Sequence, residues 1–318
     1  MDAGIIVQFV LLIVGFVFLI KGSDFFVDGA SSIASILKIP TVIVGLTIVA
    51  FGTSAPEAAV SITSSLTGSN AMAVSNVIGS NLFNMLMVIG VCALLGNLLM
   101  EKSVLNKDLP FLVGITLLFA AFIFIGGDIS NIEGVILLVI LIGYIIYLVM
   151  NARKSSNANE VEKPKMSLPK SIAFIIIGLI GIVLGGDFVV DSASAIAMAF
   201  GMSETLVGLT IVAIGTSLPE LVTSITALKK GENQLIIGNV IGSNIFNILF
   251  VLGASSAISA IPIDSSMIID VLFMVGVTVL CFIFGKTQSK YDKKEGAILV
   301  SLFVVYMAFA IWRNYFPF

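Results

Sequence analysis

The chain has 318 residues, of which 58% are hydrophobic and 11% charged, with a net charge of −3 and no histidine. A water-soluble domain carries about 25% charged residues, so this composition excludes an ordinary soluble fold. The weakly acidic balance leaves no footprint for nucleic acid, and the missing histidine removes imidazole catalysis, His-ligated transition metals and the usual neutral-pH switch. Cys92 and Cys281 both sit in apolar runs and read as packing residues rather than a disulfide or metal pair. No obligate protein partner is evident from the sequence.

Taken in chain order, the first apolar stretch (5–20) has no basic segment before it, because Asp2 is the only charge ahead of Lys21. It also lacks a small-residue cleavage site and so reads as a retained membrane helix rather than a signal peptide. Breaks at charged, Gly or Pro clusters then give candidate helices over 4–28, 41–66, 71–96, 109–126, 132–151, 170–196, 204–228, 234–258, 266–285 and 294–313. Each exceeds the roughly 17 residues needed to cross the hydrocarbon core. The one long polar segment, 151–169, is a linker between two halves, 1–150 and 170–318.

The halves repeat each other. Residues 45–90 align with 208–253 without a gap at an offset of 163, with 27 of 46 positions identical. The register extends upstream, where 22–34 (GSDFFVDGASSIA) matches 185–197 (GGDFVVDSASAIA). Five helices per half is an odd number, so the second half must enter the membrane from the opposite side. The expected fold is therefore an all-α polytopic membrane protein with ten transmembrane helices in two inverted-topology repeats. With the linker in the cytoplasm and both termini outside, 14 of the 16 basic residues fall on or near the inner side, as the positive-inside rule requires. The exceptions are Lys21, within the first helix, and Arg313.

Two duplicated elements carry the chemistry. The first is GTSAPE (52–57), with its twin GTSLPE (215–220). A proline inside a helix removes one N–H and kinks the chain; Pro56 leaves the Gly52 carbonyl without its usual donor, and in lipid such a carbonyl needs a partner that a cation can supply. Ala50, Thr53, Ser54 and Glu57 recur at spacings that put them on one helical face, and Ala213, Thr216, Ser217 and Glu220 repeat the set. The second element is NVIGSNLFN (76–84), with its twin at 239–247. It places Ser80 with Asn84 and Ser243 with Asn247 four residues apart, while Gly79 and Gly242 permit close helix approach. Oxygen ligands without Cys or His suit hard cations such as calcium and sodium better than zinc or copper.

Ser61, Thr63, Ser224 and Thr226 read as glue between helices. Glu57 and Glu220 do not, because a carboxylate deep in a membrane helix costs about 3 kcal/mol and no Lys or Arg lies within either repeat core. Asp24, Asp28, Asp187 and Asp191 are also duplicated but lie toward helix ends, where interfacial anchoring or pairing with Lys21 is the simpler reading. Asp128, Glu133 and Asp270 have no useful counterpart in the repeat.

In this paired form the motifs resemble the two α-repeats of the sodium/calcium exchanger family, within the cation/calcium exchanger superfamily, and the short linker resembles its prokaryotic members. The resemblance covers the whole ten-helix layout and implies a sodium/calcium antiporter, not an enzyme, with no cofactor and with Na+ and Ca2+ as transported substrates. It implies a central calcium site of Glu57 and Glu220 with main-chain oxygens of Thr53 and Thr216. It implies an outer sodium site of Ser54, Ala213, Thr216, Ser243 and Glu220, and an inner one of Ala50, Thr53, Ser80, Ser217 and Glu57, with Asn84 and Asn247 lining the middle. The first and sixth helices would slide across the core to alternate access. Asn247, where potassium-dependent relatives carry Asp, argues against potassium coupling and leaves two formal negative charges. Two carboxylates neutralise one calcium, so the family's three-for-one exchange would be electrogenic.

The nearest alternative is a calcium/proton antiporter of the same superfamily, since paired carboxylates can hold a proton. Against it, such relatives carry a glutamate where this chain offers Ser80 and Asn84 or Ser243 and Asn247. An intramembrane hydrolase built on Ser54 or Ser217 lacks a histidine base and a G-x-S-x-G elbow. A passive channel fits strict two-fold duplication less well.

Overall fold

The protein is described by a computed structural model over residues 3–68, 70–155, 164–202, 207, 210–211, 213–263 and 265–315. The chain is helical almost throughout. Helix α1 spans Ala3–Leu37, and α2 (Thr41–Thr53) and α3 (Ala55–Leu66) form a pair bent by 49°. Then come α4 (Met72–Leu95), α5 (Val104–Gly126), α6 (Asn131–Ser155) and α7 (Leu168–Ala199). The short α8 (Ala213–Gly215) precedes α9 (Leu218–Lys229), α10 (Asn233–Ile258), α11 (Ser265–Gln288) and α12 (Lys293–Tyr315).

Eight helices among the described residues are long and apolar enough to cross a membrane, or nine with the bent pair taken as one span. The expected span 204–228 begins largely on residues outside the described set, and its described remainder includes α8 and α9. Residues 156–163 of the expected linker also lie outside it.

Several expected boundaries shift. Helix α1 continues nine residues past the expected end at 28, because Asp24 and Asp28 are paired rather than helix-ending and no proline intervenes. It stops at Lys38, which turns left-handed (φ 55°), just ahead of Pro40. At about 1.5 Å per residue α1 is about 52 Å long, more than the roughly 30 Å hydrocarbon core, so it tilts or projects beyond it. Helix α5 begins at Val104 rather than 109, with a π-helical turn over Val104–Asp108 preceding Pro110.

The packing has two layers. Helices α4 and α10 are buried along most of their length, whereas α1, α5, α6, α7 and α12 turn large apolar side chains outward, among them Ile13, Ile125, Val139, Ile176 and Val305. Lipid is as apolar as leucine, so helices associate there through close backbone contact rather than hydrophobic burial. Gly15, Gly22 and Gly29 recur every seven residues on α1 and face α7, where Gly15 meets Gly185, Gly22 meets Gly178, and Gly29 meets Ser171 and Ile175. A Cβ at Gly22 would stand 2.7 Å from the Ile182 nitrogen and 2.8 Å from the Gly178 oxygen. A second crossing joins α2 to α10, where a Cβ at Gly45 would lie 2.9 Å from Gly238 Cα and one at Gly242 would lie 2.7 Å from Leu46 Cα. The twin of Leu46, Leu209, is outside the described residues.

Two short antiparallel ribbons tie the halves together. Leu98–Leu99 (β1) pairs with Lys290–Tyr291 (β4), and Asp128–Ile129 (β2) pairs with Ile261–Pro262 (β3). Each ribbon satisfies backbone groups that a helix break would otherwise leave bare. Cys92 and Cys281 are buried and free, as packing residues should be, and Cys281 Sγ rests 3.8 Å from the Met85 carbonyl.

The glycine seam between α1 and α7 yields a direct prediction. Gly22→Val should lower the unfolding temperature of the purified protein by several degrees, because overpacking a tight contact costs about 1–3 kcal/mol. Gly143→Val, at a site where a Cβ meets nothing within 4 Å, should shift it far less in the same thermal melt.

Candidate cation-binding site

The site is built at two helix breaks. Ser54 (φ −85°, ψ 8°) and Ser217 (φ −97°, ψ 6°) leave helical geometry, and each is followed by a helix carrying proline in its first turn. Pro56 and Pro219 have no N–H to bond the carbonyl four residues back and are tolerated only in the first turn of a helix, so the T-S-x-P-E sequence starts a new helix at each proline. Glu57 and Glu220 then fall in the first turns of α3 and α9, where the unpaired N–H groups and helix dipole favour negative charge.

The breaks face each other and cross-link. Ser54 Oγ donates to Glu220 Oε1 at 3.0 Å, and Ser217 Oγ donates to Glu57 Oε1 at 3.2 Å. Ser80 Oγ adds a longer contact to Glu57 Oε1 at 3.4 Å. Both carboxylates are completely buried, and no Lys or Arg pairs with either among the described residues. The second oxygen of each, Glu57 Oε2 and Glu220 Oε2, accepts no hydrogen bond there. The same holds for Asn84 Oδ1, Asn247 Oδ1 and Thr216 Oγ1. Buried acceptors are almost always satisfied. Five of the ten unpartnered buried side-chain atoms among the described residues thus fall on expected site residues, two of them on carboxylates, and oxygen donors of this kind suit a hard cation.

The expected single helical face of Ala50, Thr53, Ser54 and Glu57 is split by the 49° bend. Ser54 turns to Glu220, while Thr53 Oγ1 lies 3.0 Å from Asn239 Oδ1 and 3.4 Å from Ser243 Oγ. Ser243 Oγ also lies 3.5 Å from the Ala50 carbonyl. The structure thus brings Ser243 to Ala50 and Thr53, residues that the family resemblance assigns to the other sodium position. Ala213 opens α8, four residues ahead of the second break at Ser217.

Asn84 and Asn247 each open a π-helical segment, Asn84–Val88 and Asn247–Leu252. Such widened turns recur at functional sites, and no pattern in the sequence announced them. Asn76 Nδ2 donates to Ser61 Oγ at 2.9 Å and Asn239 Nδ2 to Ser224 Oγ at 3.2 Å, so these two serines do serve as interhelical glue. Among the described residues neither Thr63 nor Thr226 hydrogen-bonds to Glu57 or Glu220 through its side chain.

Two polar constellations lie outside the site. Asp24 pairs with Lys21 at 3.7 Å as expected, but Lys230 is the stronger partner, 2.8 Å from Asp28 and 3.6 Å from Asp24. Asp270 does have a counterpart, at an offset of 162 rather than 163. Tyr144 donates to Asp108 at 3.0 Å and stacks on Phe111; Tyr306 donates to Asp270 at 3.1 Å and stacks on Phe273. A one-residue change in spacing between α4 and α5 relative to the second half hides the match. Arg313 neutralises Asp270 at 2.7 Å. The aspartate–tyrosine pairs tie α5 to α6 and α11 to α12, and Lys230, just past the end of α9, ties that helix to α1. A separate cavity of about 440 Å³, lined by Phe26, Phe51, Tyr144 and Phe246 among others, is apolar and includes neither glutamate.

Known proteins share this architecture. The model of the sodium/calcium exchanger protein family matches residues 7–150 and 170–312, which are the two halves without the linker. A putative antiporter, CaxA, of Alkalimonas amylolytica is 37% identical over 293 residues, covering 87% of this chain and 90% of the relative. The sodium/calcium exchanger MaX1 of Methanosarcina acetivorans is 31% identical over 343 residues, covering 95% and 98%. A solved structure of the sodium-calcium exchanger NCX_Mj soaked with Na+ and Sr2+ superposes with a TM-score of 0.84 at 32% identity, covering 96% of this chain and 99% of that one. With two repeats, an oxygen-only buried site and relatives matching nearly end to end, this chain belongs to the sodium/calcium exchanger family, whose members are membrane antiporters of cations.

Proposed function

We propose that this protein exchanges sodium for calcium across the cell membrane by alternating access, with Na+ and Ca2+ as its substrates and no cofactor. The observation that carries this reading is the crossed serine–glutamate pair with its unpartnered acceptor oxygens. Calcium would lie between Glu57 and Glu220, with Asn84 and Asn247 beside it and main-chain oxygens of Thr53 and Thr216 completing the shell. Sodium would use the flanking oxygens. Ala50, Thr53, Ser217 and Glu57 form one position, and Ser54, Ala213, Thr216 and Glu220 the other. The contacts of Ser243 favour the first of these, as does the contact of Ser80 with Glu57.

In our reading the architecture is ten spans in two inverted repeats, 1–150 and 170–318, joined by a cytoplasmic linker at 151–169, with both termini outside. The charge distribution supports that orientation. Two carboxylates balance one calcium, and three sodium ions would leave one positive charge. A three-for-one cycle would therefore be electrogenic and worth about 2.3 kcal/mol per 100 mV. The glycine seam lets α1 and α7 move as a pair past the buried core.

The test is radioactive calcium uptake into proteoliposomes loaded with sodium, beside potassium-loaded and pH-gradient controls. Uptake that requires the outward sodium gradient is expected. Uptake driven by a pH gradient alone would move the protein to the proton-coupled branch of the superfamily. Glu57→Gln and Glu220→Gln should each reduce sodium-driven uptake to background, since either leaves one charge against a divalent ion; near-normal uptake in both would remove the site. Protons compete with calcium for the same two carboxylates, so uptake should fall between pH 8 and about 6. Calcium affinity that stays constant across that range would contradict the shared carboxylates. Asn247→Asp, which adds a third charge, should slow sodium-driven exchange or make it proton-sensitive in the same assay.

A further inference from the structure

A side-chain amide presents either an oxygen or an NH2 group in nearly the same volume, and the two ends carry opposite partial charge. Beside a cation the choice decides between attraction and repulsion. Asn84 and Asn247 face this choice, and in the structure both leave Oδ1 without a hydrogen bond among the described residues. Their NH2 groups are taken by two other asparagines. Asn84 Nδ2 donates to Asn244 Oδ1 at 3.1 Å, and Asn247 Nδ2 donates to Asn81 Oδ1 at 3.2 Å.

The orientation of Asn244 is itself fixed. Its Nδ2 donates to the main-chain carbonyl of Asn81 at 3.4 Å, and a carbonyl can only accept. The NH2 end of Asn244 therefore turns to Asn81, its oxygen end turns to Asn84, and Asn84 must present NH2 to Asn244 and oxygen to the site. All four asparagines are buried, at 2% exposure or less, so bulk water offers no alternative partner that would make the flipped arrangement cheap.

We propose that Asn81 and Asn244 are positioning residues that hold Asn247 and Asn84 with their oxygens toward the transported cation, and so set the preference of the site for calcium over sodium. This rests on the reading that Asn84 and Asn247 line the calcium site. Calcium needs six to eight oxygens, so losing two correctly turned neutral oxygens weakens calcium more than sodium, whose other ligands are hydroxyl and main-chain oxygens on the flanks.

The test is calorimetric titration of calcium into the purified full-length protein in detergent without sodium, with sodium affinity obtained by competition. Asn244→Leu keeps the bulk and removes the acceptor. It should weaken calcium binding about tenfold, a change of about 1.4 kcal/mol, and weaken sodium by much less. In an Asn84→Ala background, Asn244→Leu should have no further effect on calcium, because the oxygen it positions is gone. Asn81→Leu against Asn247→Ala forms an independent second cycle, and Asn244→Ala replaces the leucine variant if that does not fold. Equal loss of calcium and sodium affinity, or additive losses in both cycles, would show a general packing role and overturn the proposal. If Asn84→Ala and Asn247→Ala both leave calcium affinity unchanged, the reading of the central site itself fails and the positioning role falls with it. Weakening in those two variants with normal binding in Asn244→Leu and Asn81→Leu would sink the positioning role alone.

Discussion

Two carboxylates are buried in a membrane body with no basic side chain to pair with them, and the rest of the architecture serves that fact. A buried ion pair would neutralise Glu57 and Glu220 permanently and leave nothing for a cargo to do. Here the compensation is partial and reversible. Each glutamate has a helix N-terminus beneath it and a serine hydroxyl from the opposite half on one oxygen, with the second oxygen left to accept. Helix dipoles and hydroxyls stabilise a charge by less than a guanidinium does. A cation can therefore complete the site and leave it again.

The surrounding fold follows from holding those two helix starts face to face. Proline supplies the break, and glycine lets the helices that carry the breaks pack backbone to backbone, as Gly45 does with Gly238 on α10. The two ribbons and the aspartate–tyrosine ties secure the periphery, while the seam between α1 and α7 combines backbone-to-backbone glycine contacts with the aromatic pairs Phe18–Phe188 and Phe25–Phe174. Contacts from the inner part of α1 to the core are both polar and apolar: Ser23 lies 3.2 Å from Thr223 and Lys230 reaches Asp28, while the buried Phe26 ring packs against Gly52.

Much of this was legible in the sequence because the information is periodic or duplicated. Apolar runs gave the helices, and the gapless repeat gave the paired site residues. What escaped was non-periodic. The bend at Ser54 divided residues that helical spacing had placed on one face, so that Thr53 and Ser54 reach different partners. The π-helical turns at Asn84 and Asn247 depend on packing between halves that no local signal encodes. The Asp108–Tyr144 and Asp270–Tyr306 constellations were hidden by an offset of 162 within a repeat read at 163. Lys230 was assigned to an interface by its charge, and its reach back to Asp24 and Asp28 is a tertiary contact across some 200 residues.

The central claim is that Glu57 and Glu220 form one shared site rather than two. Equilibrium calcium binding to the purified protein at alkaline pH, counted as ions per chain, tests it most directly. The account predicts one calcium per chain in the wild type and its loss in either Glu57→Gln or Glu220→Gln alone. Two calcium ions per chain, with each single variant retaining one, would contradict it.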